Sequence, residues 1–409
     1  MHKPALHIHS VSFEHGNEIW HGVKGGYKKL ETEFKSLSRR ALLMAGPEDV
    51  IILDGPVDEK YISLLRDLGV GGAEIKIPSH KSASCLVEDV AMSPELVDFI
   101  AAWEGETEVY MPSPACDKLS EKIGRPLFPT PFGVATALND KVFFIRLLED
   151  IDAPKIETVI GNSNAMAGRI NRNPDAKTIV RGARSVGGSM VFPVRNKNER
   201  VRTLKVLNKI TDERLFIFQP FIEPAETPNL QFYVGEKDVT LFGETVQVLN
   251  PQMGHVGNLF DRSENKTARD LMIKWGVALA MESASLGYRG VLGVDFIVTQ
   301  DGSVYPIEMN ARHNTSTHAL WFVNRLLTKD PMIQAPSGMA AYWGYSVSRS
   351  LSASEWLDAL GNLAFDPSKM RGVLPYDING TTLHAVIVGT DSDDRASLIE
   401  SARDIATRI

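Results

Sequence analysis

A chain of 409 residues has room for two or three domains, and 43% hydrophobic with 23% charged residues is ordinary for a globular protein. Its formal net charge of −7, with no dominant basic stretch, argues against a general nucleic-acid surface. Two cysteines, Cys85 and Cys116, form no disulfide framework, and no basic leader or run of about eighteen apolar residues is seen, so the expectation is a cytoplasmic protein that neither is exported nor enters a membrane.

Residues 1–40 are polar and histidine-rich. His7 and His9 share one face of a strand, but without a third ligand at diagnostic spacing a structural or surface role is favoured over zinc. A buried strand and turn at Asp49–Gly55, a helical pattern at Tyr61, Leu64, Leu65 and Leu68, and a strand from Ala73 to Ile77 follow. A helix at Pro94–Trp103 and a strand at Glu108–Met111 complete a β-α-β rhythm that predicts an open parallel sheet. Gly69-Val70-Gly71-Gly72 follows a helix rather than opening one. It therefore reads as a C-cap and turn, which removes the support for a dinucleotide-binding oxidoreductase.

Asp140 is a candidate N-cap for a helix carrying Val142, Ile145 and Leu148, with Lys141 in its first turn. Thr178–Arg181 reads as a strand entering the glycine-rich stretch Gly182–Ser189, and Met190–Phe192 as the return strand. Such a loop exposes N–H groups to phosphate but is a weak motif alone. Leu215–Glu223 is an apolar strand broken by Pro220, and Asn229–Val234 alternates, placing Gln231 toward a nucleotide or substrate. Gln247–Asn258 passes from strand to loop, where His255 and Asn258 are possible contacts or plain surface residues.

The runs Gly290–Gln300 and Ser303–Asn310 flank an Asp301-Gly302 turn and predict a hairpin. Period-two alternation puts Glu308 and Asn310 on one face, where Asp295 can join them, and three hard oxygen donors there suit Mg²⁺. Arg312 extends the same face. The alternative is a solvated acidic face. Beyond it, Thr317 is a candidate N-cap. Residues 335–353 look like a linker or irregular lid, Ala353–Leu363 a helix, Thr381–Val388 a strand, and Asp391–Asp394 the cap of a last helix.

The order and spacing of these parts resemble the ATP-grasp superfamily, with 308 − 295 = 13 residues between the first two metal positions and Glu308-Met309-Asn310-Ala311-Arg312 similar to the biotin-carboxylase form. The resemblance spans about 130 to 320. It implies an α/β and α+β fold: a Rossmann-like preATP-grasp domain at 1–130, an ATP-grasp core of two α+β subdomains at 131–330 with a lid at about 155–222, and a small α/β unit at 331–409. It also implies ATP and Mg²⁺, or Mn²⁺ in its place, held at Asp295, Glu308 and Asn310. Nucleotide contacts would fall to Lys141, Arg181, Ser185, Gly187, Gly188, Gln219, Phe221, Ile222 and Glu226, with Glu223 second for the ribose. Arg312, and Arg184 or Arg289 as carboxylate binders, would serve catalysis, the latter two weighed evenly against surface ion pairs.

The chain departs from the family at Arg181-Gly182, where most members carry Lys-Pro; Arg181 could equally be a strand residue paired with an acid. With its flanking units the sequence looks like the pheganomycin-type peptide ligases. The implied activity is carboxylate–amine ligation through an acyl phosphate, in peptide or specialised-metabolite biosynthesis, on small-molecule or peptide acids and amines. A homodimer is compatible with this. The alternatives are loading of an amino acid onto a carrier-protein thiol, a simple kinase, and a non-catalytic ATP-binding module.

Overall fold

The computed structural model describes residues 4–10, 37–81, 85–184, 190–211, 213–251, 253–379 and 382–409. Near the N-terminus β1 (Ala5–Ile8), β2 (Val50–Ile52), β3 (Glu74–Lys76) and β4 (Glu106–Val109) form a parallel sheet in the order β3-β2-β1-β4. The Val50-Ile51-Ile52 run is buried throughout, as a strand of a parallel sheet requires. Asp58 caps the helix Glu59–Asp67 by accepting the Lys60 and Tyr61 N–H groups. Gly69, Gly71 and Gly72 sit at φ of 77°, 89° and 69°, so this segment is a helix exit and turn.

A second, antiparallel sheet has the order β5-β8-β6-β7, from Val159–Gly161, Phe216–Pro220, Thr178–Gly182 and Val191–Val194 respectively. The helices Ser163–Arg172 and Lys197–Leu207 cover it, closing a small core around Met166, Val180 and Phe216.

The third sheet has eight antiparallel strands in the order β13-β12-β9-β10-β11-β14-β16-β15. Its strands are β9 (Pro228–Val234), β10 (Val239–Leu249), β11 (His255–Leu259), β12 (Gly290–Val298), β13 (Val304–Asn310), β14 (Ala340–Ser346), β15 (Gly372–Asn379) and β16 (Thr382–Val388). The helix Lys266–Ser285 packs Met272 and Leu279 against Phe232 and Leu292. Phe242, Phe322 and Tyr342 meet Leu42 and Leu65, so the parallel sheet's unit and the large sheet share one core.

The expected unit at 331–409 is not a separate layer. β14 pairs with β11 through Gly257↔Trp343 and Leu259↔Ala341, and β14–β16 continue the sheet that carries the predicted metal residues. The expected linker at 335–353 accordingly contains β14, and β15 was not foreseen. The last helix, Ser392–Ala406, begins as expected at Asp391, whose carboxylate accepts the Asp393 and Asp394 N–H groups. Among the described residues no helix is long and apolar enough to cross a membrane.

Candidate active site

The hairpin β12–β13 sets Asp295 directly opposite Glu308 and Gly293 opposite Asn310. The register then slips: Phe296 faces Pro306, leaving Ile307 as an extra residue beside the two acids. A bulge of this kind bends the strand and re-aims neighbouring side chains, and bulges concentrate at functional sites.

Asp295 Oδ1 accepts the side-chain amides of Asn229 and Gln247, each at 2.7 Å, and Oδ2 accepts Asn310 Nδ2 at 3.0 Å. Burial and then the charge of Glu308 raise its pKa, with the amide donors pulling the other way. Glu308 behaves differently. Burial pushes it up as well, but Lys141 and Arg181 outweigh that and hold its carboxyl below the usual range. Lys141 Nζ lies 2.8 Å from Glu308 Oε1, and Arg181 Nη1 4.0 Å from Oε2. Two acids of unlike proton affinity thus face each other across one hairpin.

Lys141 follows Asp140, which caps the helix Lys141–Asp150 as expected. It is no surface lysine: only 1% of its side chain is exposed. Burial lowers its pKa, opposed by Glu308. Arg181, on β6, donates to Gln219 Oε1 at 2.9 Å and to the Ile307 carbonyl at 3.2 Å, while its Nε has no partner. It ties the second sheet to the bulge of the third. Arg312 Nη2 donates to Asn310 Oδ1 at 2.6 Å.

A cavity of about 530 Å³ lies over these groups. One half is mainly apolar, walled by Ile156, Ile179, Val191, Phe221, Ile222 and Phe296. The other half is polar, with Arg40, His255, Asn258, Ser316, Tyr342 and His384. Asp295, Glu308, Asn310, Arg312, Arg181 and Gln219 also line the cavity, between the two sets in character and all from the predicted group.

Other predicted residues lie elsewhere. Arg289 does not line the cavity: its guanidinium donates to the carbonyls of Ala284 and Tyr288, closing the end of the helix Lys266–Ser285. Arg184 is also outside the lining, half-exposed and 3.0 Å from Asp140, the surface ion pair weighed as its alternative. Glu226 pairs through its backbone with Val298, and its Oε2 is buried without a partner. Ser185, Gly187 and Gly188 lie outside the described residues. Gln231 is turned into the protein, bonded to Ser316 and Thr317 rather than to the cavity, and Ser316, not Thr317, occupies the N-cap of the helix Thr317–Thr328.

Arg40, Asn229, Gln247, Tyr342 and His384 were not singled out from the sequence. For Asn229 and Gln247 a signal existed: polar amides within otherwise apolar strands. Nothing local marks Arg40, Tyr342 or His384, which reach the cavity from three distant segments.

A small antiparallel sheet beside a larger sheet that carries opposed acids is similar to the ATP-grasp arrangement, and part of the chain matches an ATP-grasp ligase family in sequence. Residues 177–310 match the sequence model of the family described as L-aspartate–L-methionine ligase, ATP grasp. Over 95 residues the chain is 33% identical to the [butirosin acyl-carrier protein]–L-glutamate ligase of Niallia circulans; the match covers 22% of this chain and 22% of that relative. Among solved structures, N5-carboxyaminoimidazole ribonucleotide synthetase of Thermus thermophilus superposes with a TM-score of 0.58 at 14% identity, covering 99% of each chain. The Staphylococcus aureus N5-carboxyaminoimidazole synthetase, solved with ADP, gives 0.58 at 12% identity over 98% of this chain and 97% of the other. The L-amino acid ligase of Bacillus licheniformis gives 0.55 at 12% identity, again over 98% and 97%. At these identities the structures establish the fold.

Proposed function

We propose that the protein is an ATP-dependent, ADP-forming ligase that activates a carboxylate as an acyl phosphate and transfers the acyl group to an amine. The observation that carries this reading is the Asp295–Glu308 pair, opposed across one hairpin, clamped by Lys141 and Arg181, and open to a cavity with an apolar and a polar half. Adenine suits the apolar half, between Phe221 and Ile222 of the hinge and Ile179 and Phe296, with Gln219 nearby.

Asp295, Glu308 and Asn310 fit a divalent cation by chemistry. Their donors are hard oxygens, Asp295 is strained by burial beside a like charge, and Asn229 Oδ1 is buried with no partner. Mg²⁺ bound there would neutralise charge on the transferring phosphoryl group. Lys141 and Arg181 hold Glu308 ionised and add positive charge at the phosphate end. Asn229 and Gln247 fix the Asp295 carboxylate.

In the first step the substrate carboxylate attacks the γ-phosphorus, the β,γ P–O bond breaks, and ADP leaves. Arg312, at the boundary of the polar half, is placed to offset the charge on the reacting carboxylate. In the second step an amine nitrogen attacks the acyl carbon and phosphate departs. The family name matched over 177–310 makes amino acids the first candidates for both substrates, with L-aspartate and L-methionine foremost. In this reading 1–130, 131–330 and 331–409 act as preATP-grasp unit, catalytic core with its lid at 155–222, and a wall of the acceptor pocket, in the cytoplasm.

The test is ADP release with magnesium across the twenty L-amino acids in pairs, followed by product mass. Glu308→Ala should abolish acid-dependent ADP formation, and unchanged turnover would refute the assignment. The Niallia relative favours one second reading, transfer to a carrier-protein thiol. A product that needs phosphopantetheine rather than an amine would select it.

A further inference from the structure

We propose that His255 is the general base that deprotonates the acceptor amine, which is therefore a primary amine entering the polar half of the cavity as its ammonium form. The proposal rests on the acyl-phosphate reading above and adds to it a residue for the second step. An amino group is protonated at neutral pH and cannot attack until it gives up a proton. The cavity's acids do not supply that base. Asp295 is held by three amides and Glu308 by Lys141, and both belong to the phosphate end. Among the described lining residues this leaves imidazoles.

His255 opens β11 just past the irregular pairing of Leu249 with that strand. Its Nε2 lies 2.7 Å from Asn258 Oδ1, three residues along the same strand. Asn258 is itself buried, and its Nδ2 is committed to Thr245 Oγ1 at 3.0 Å. The amide oxygen therefore faces the ring, Nε2 carries the hydrogen, and Nδ1 keeps the lone pair. The ring stacks on Tyr342, centroids 5.9 Å apart and planes at 18°, so its orientation is fixed from β14 as well. A base held in one tautomer by a buried partner is how a catalytic imidazole is prepared.

His255 is partly open to solvent, and its surroundings favour the neutral imidazole. Burial lowers its pKa, the Asn258 bond opposes this, and His384 from β16 and Arg40 from the turn Leu37–Leu43 lower it further. Tyr342 packs from β14, and Arg312 lines the same cavity. Arg40 disfavours a standing imidazolium, and Arg40 and Arg312 bring positive charge to the cavity that suits the carboxylate of an amino-acid acceptor. Chemically, Nδ1 takes one proton from R–NH₃⁺, and the freed lone pair forms the C–N bond. The acyl C–O bond then breaks, its electrons leaving with phosphate, which takes the second nitrogen-bound proton. The imidazolium returns its proton to solvent.

The experiment compares amine and hydroxylamine as acceptors for wild type, His255→Gln and His255→Ala, using the best amino-acid pair from the twenty-residue screen. Hydroxylamine is already uncharged at neutral pH and needs no base. Loss of His255 should slow amide formation about 10²-fold at pH 7, with hydroxamate formation within about twofold of wild type. The amide deficit should shrink toward pH 9 as free amine accumulates, and imidazole should partly restore His255→Ala. Equal loss with both acceptors, or no loss with either, overturns the proposal. Wild type that yields neither hydroxamate nor acid-dependent ADP overturns the ligase reading instead, a distinct result.

Discussion

The pair Lys141–Glu308 supports a sharp energetic test. Lys141 is 1% exposed and Glu308 21%, with 2.8 Å between Nζ and Oε1. Removing one partner of a buried pair leaves the other charge without compensation, typically at about 3–5 kcal/mol. Here Arg181 stands 4.0 Å from the other carboxylate oxygen, so Lys141→Met should fall at the low end, about 3 kcal/mol. Glu308→Gln strands a buried ammonium that burial already disfavours, and a similar loss is expected. The double variant Lys141→Met/Glu308→Gln removes both charges and should recover to within about 1 kcal/mol of wild type, because a neutral pair of similar volume is often tolerated. In thermal unfolding the single variants should melt about 3–4 °C lower and the double variant near wild type. All three should lose ADP formation, since stability and chemistry use the same charges for different ends. Additive losses in the double variant would show that the two side chains are not coupled, and the clamp on Glu308 would have to be abandoned.

Two further outcomes follow from other parts of the molecule. His9, His313 and His318 are buried together, with His9 Nδ1 2.7 Å from His318 Nε2, and burial lowers all three pKa values, His313 to about 4. Their folded-state values lie below the unfolded value of about 6.5, so the unfolded chain binds more protons in between. Stability from this cluster is complete above about pH 6.5 and falls as pH drops toward the folded values, by up to about 1.4 kcal/mol per pH unit for each histidine. Melting temperature followed from pH 8 to 5 should show that decline, and His318→Gln should make it shallower. At the seam of β11 and β14, a Cβ on Gly257 would sit 2.4 Å from the Tyr342 carbonyl oxygen and 2.8 Å from the Trp343 ring. Gly257→Ala should therefore cost about 1–3 kcal/mol and weaken amino-acid binding, read as a lower melting temperature and a raised KM, because backbone has to move.

What the sequence disclosed and what it withheld divide along physical lines. The Asp295–Glu308 hairpin was readable because its turn, its alternation and its acids all lie within 21 residues, so local rules fix both pairing and facing. The bulge at Ile307 was not, since a one-residue slip leaves no mark in composition. Lys141 was expected to touch phosphate, and the structure adds a contact the sequence did not disclose, its grip on Glu308; both uses need its first-turn position, and only tertiary geometry reveals the second. Arg184 and Arg289 show the converse. A cation near a motif is as easily spent on Asp140 or on the exposed carbonyls of a helix end, and sequence spacing does not separate these uses. The polar half of the cavity was the least legible, because Arg40, His255, Tyr342 and His384 come together through the β11–β14 seam and the shared core beneath it. That seam closes over 80 residues of intervening chain, with no turn signal to announce it. The polar end of the cavity is thus assembled from long-range pairing, whereas the opposed acids come from a single hairpin. Under the proposed ligase reading, substrate choice is a property of the seam and can change without disturbing the acids.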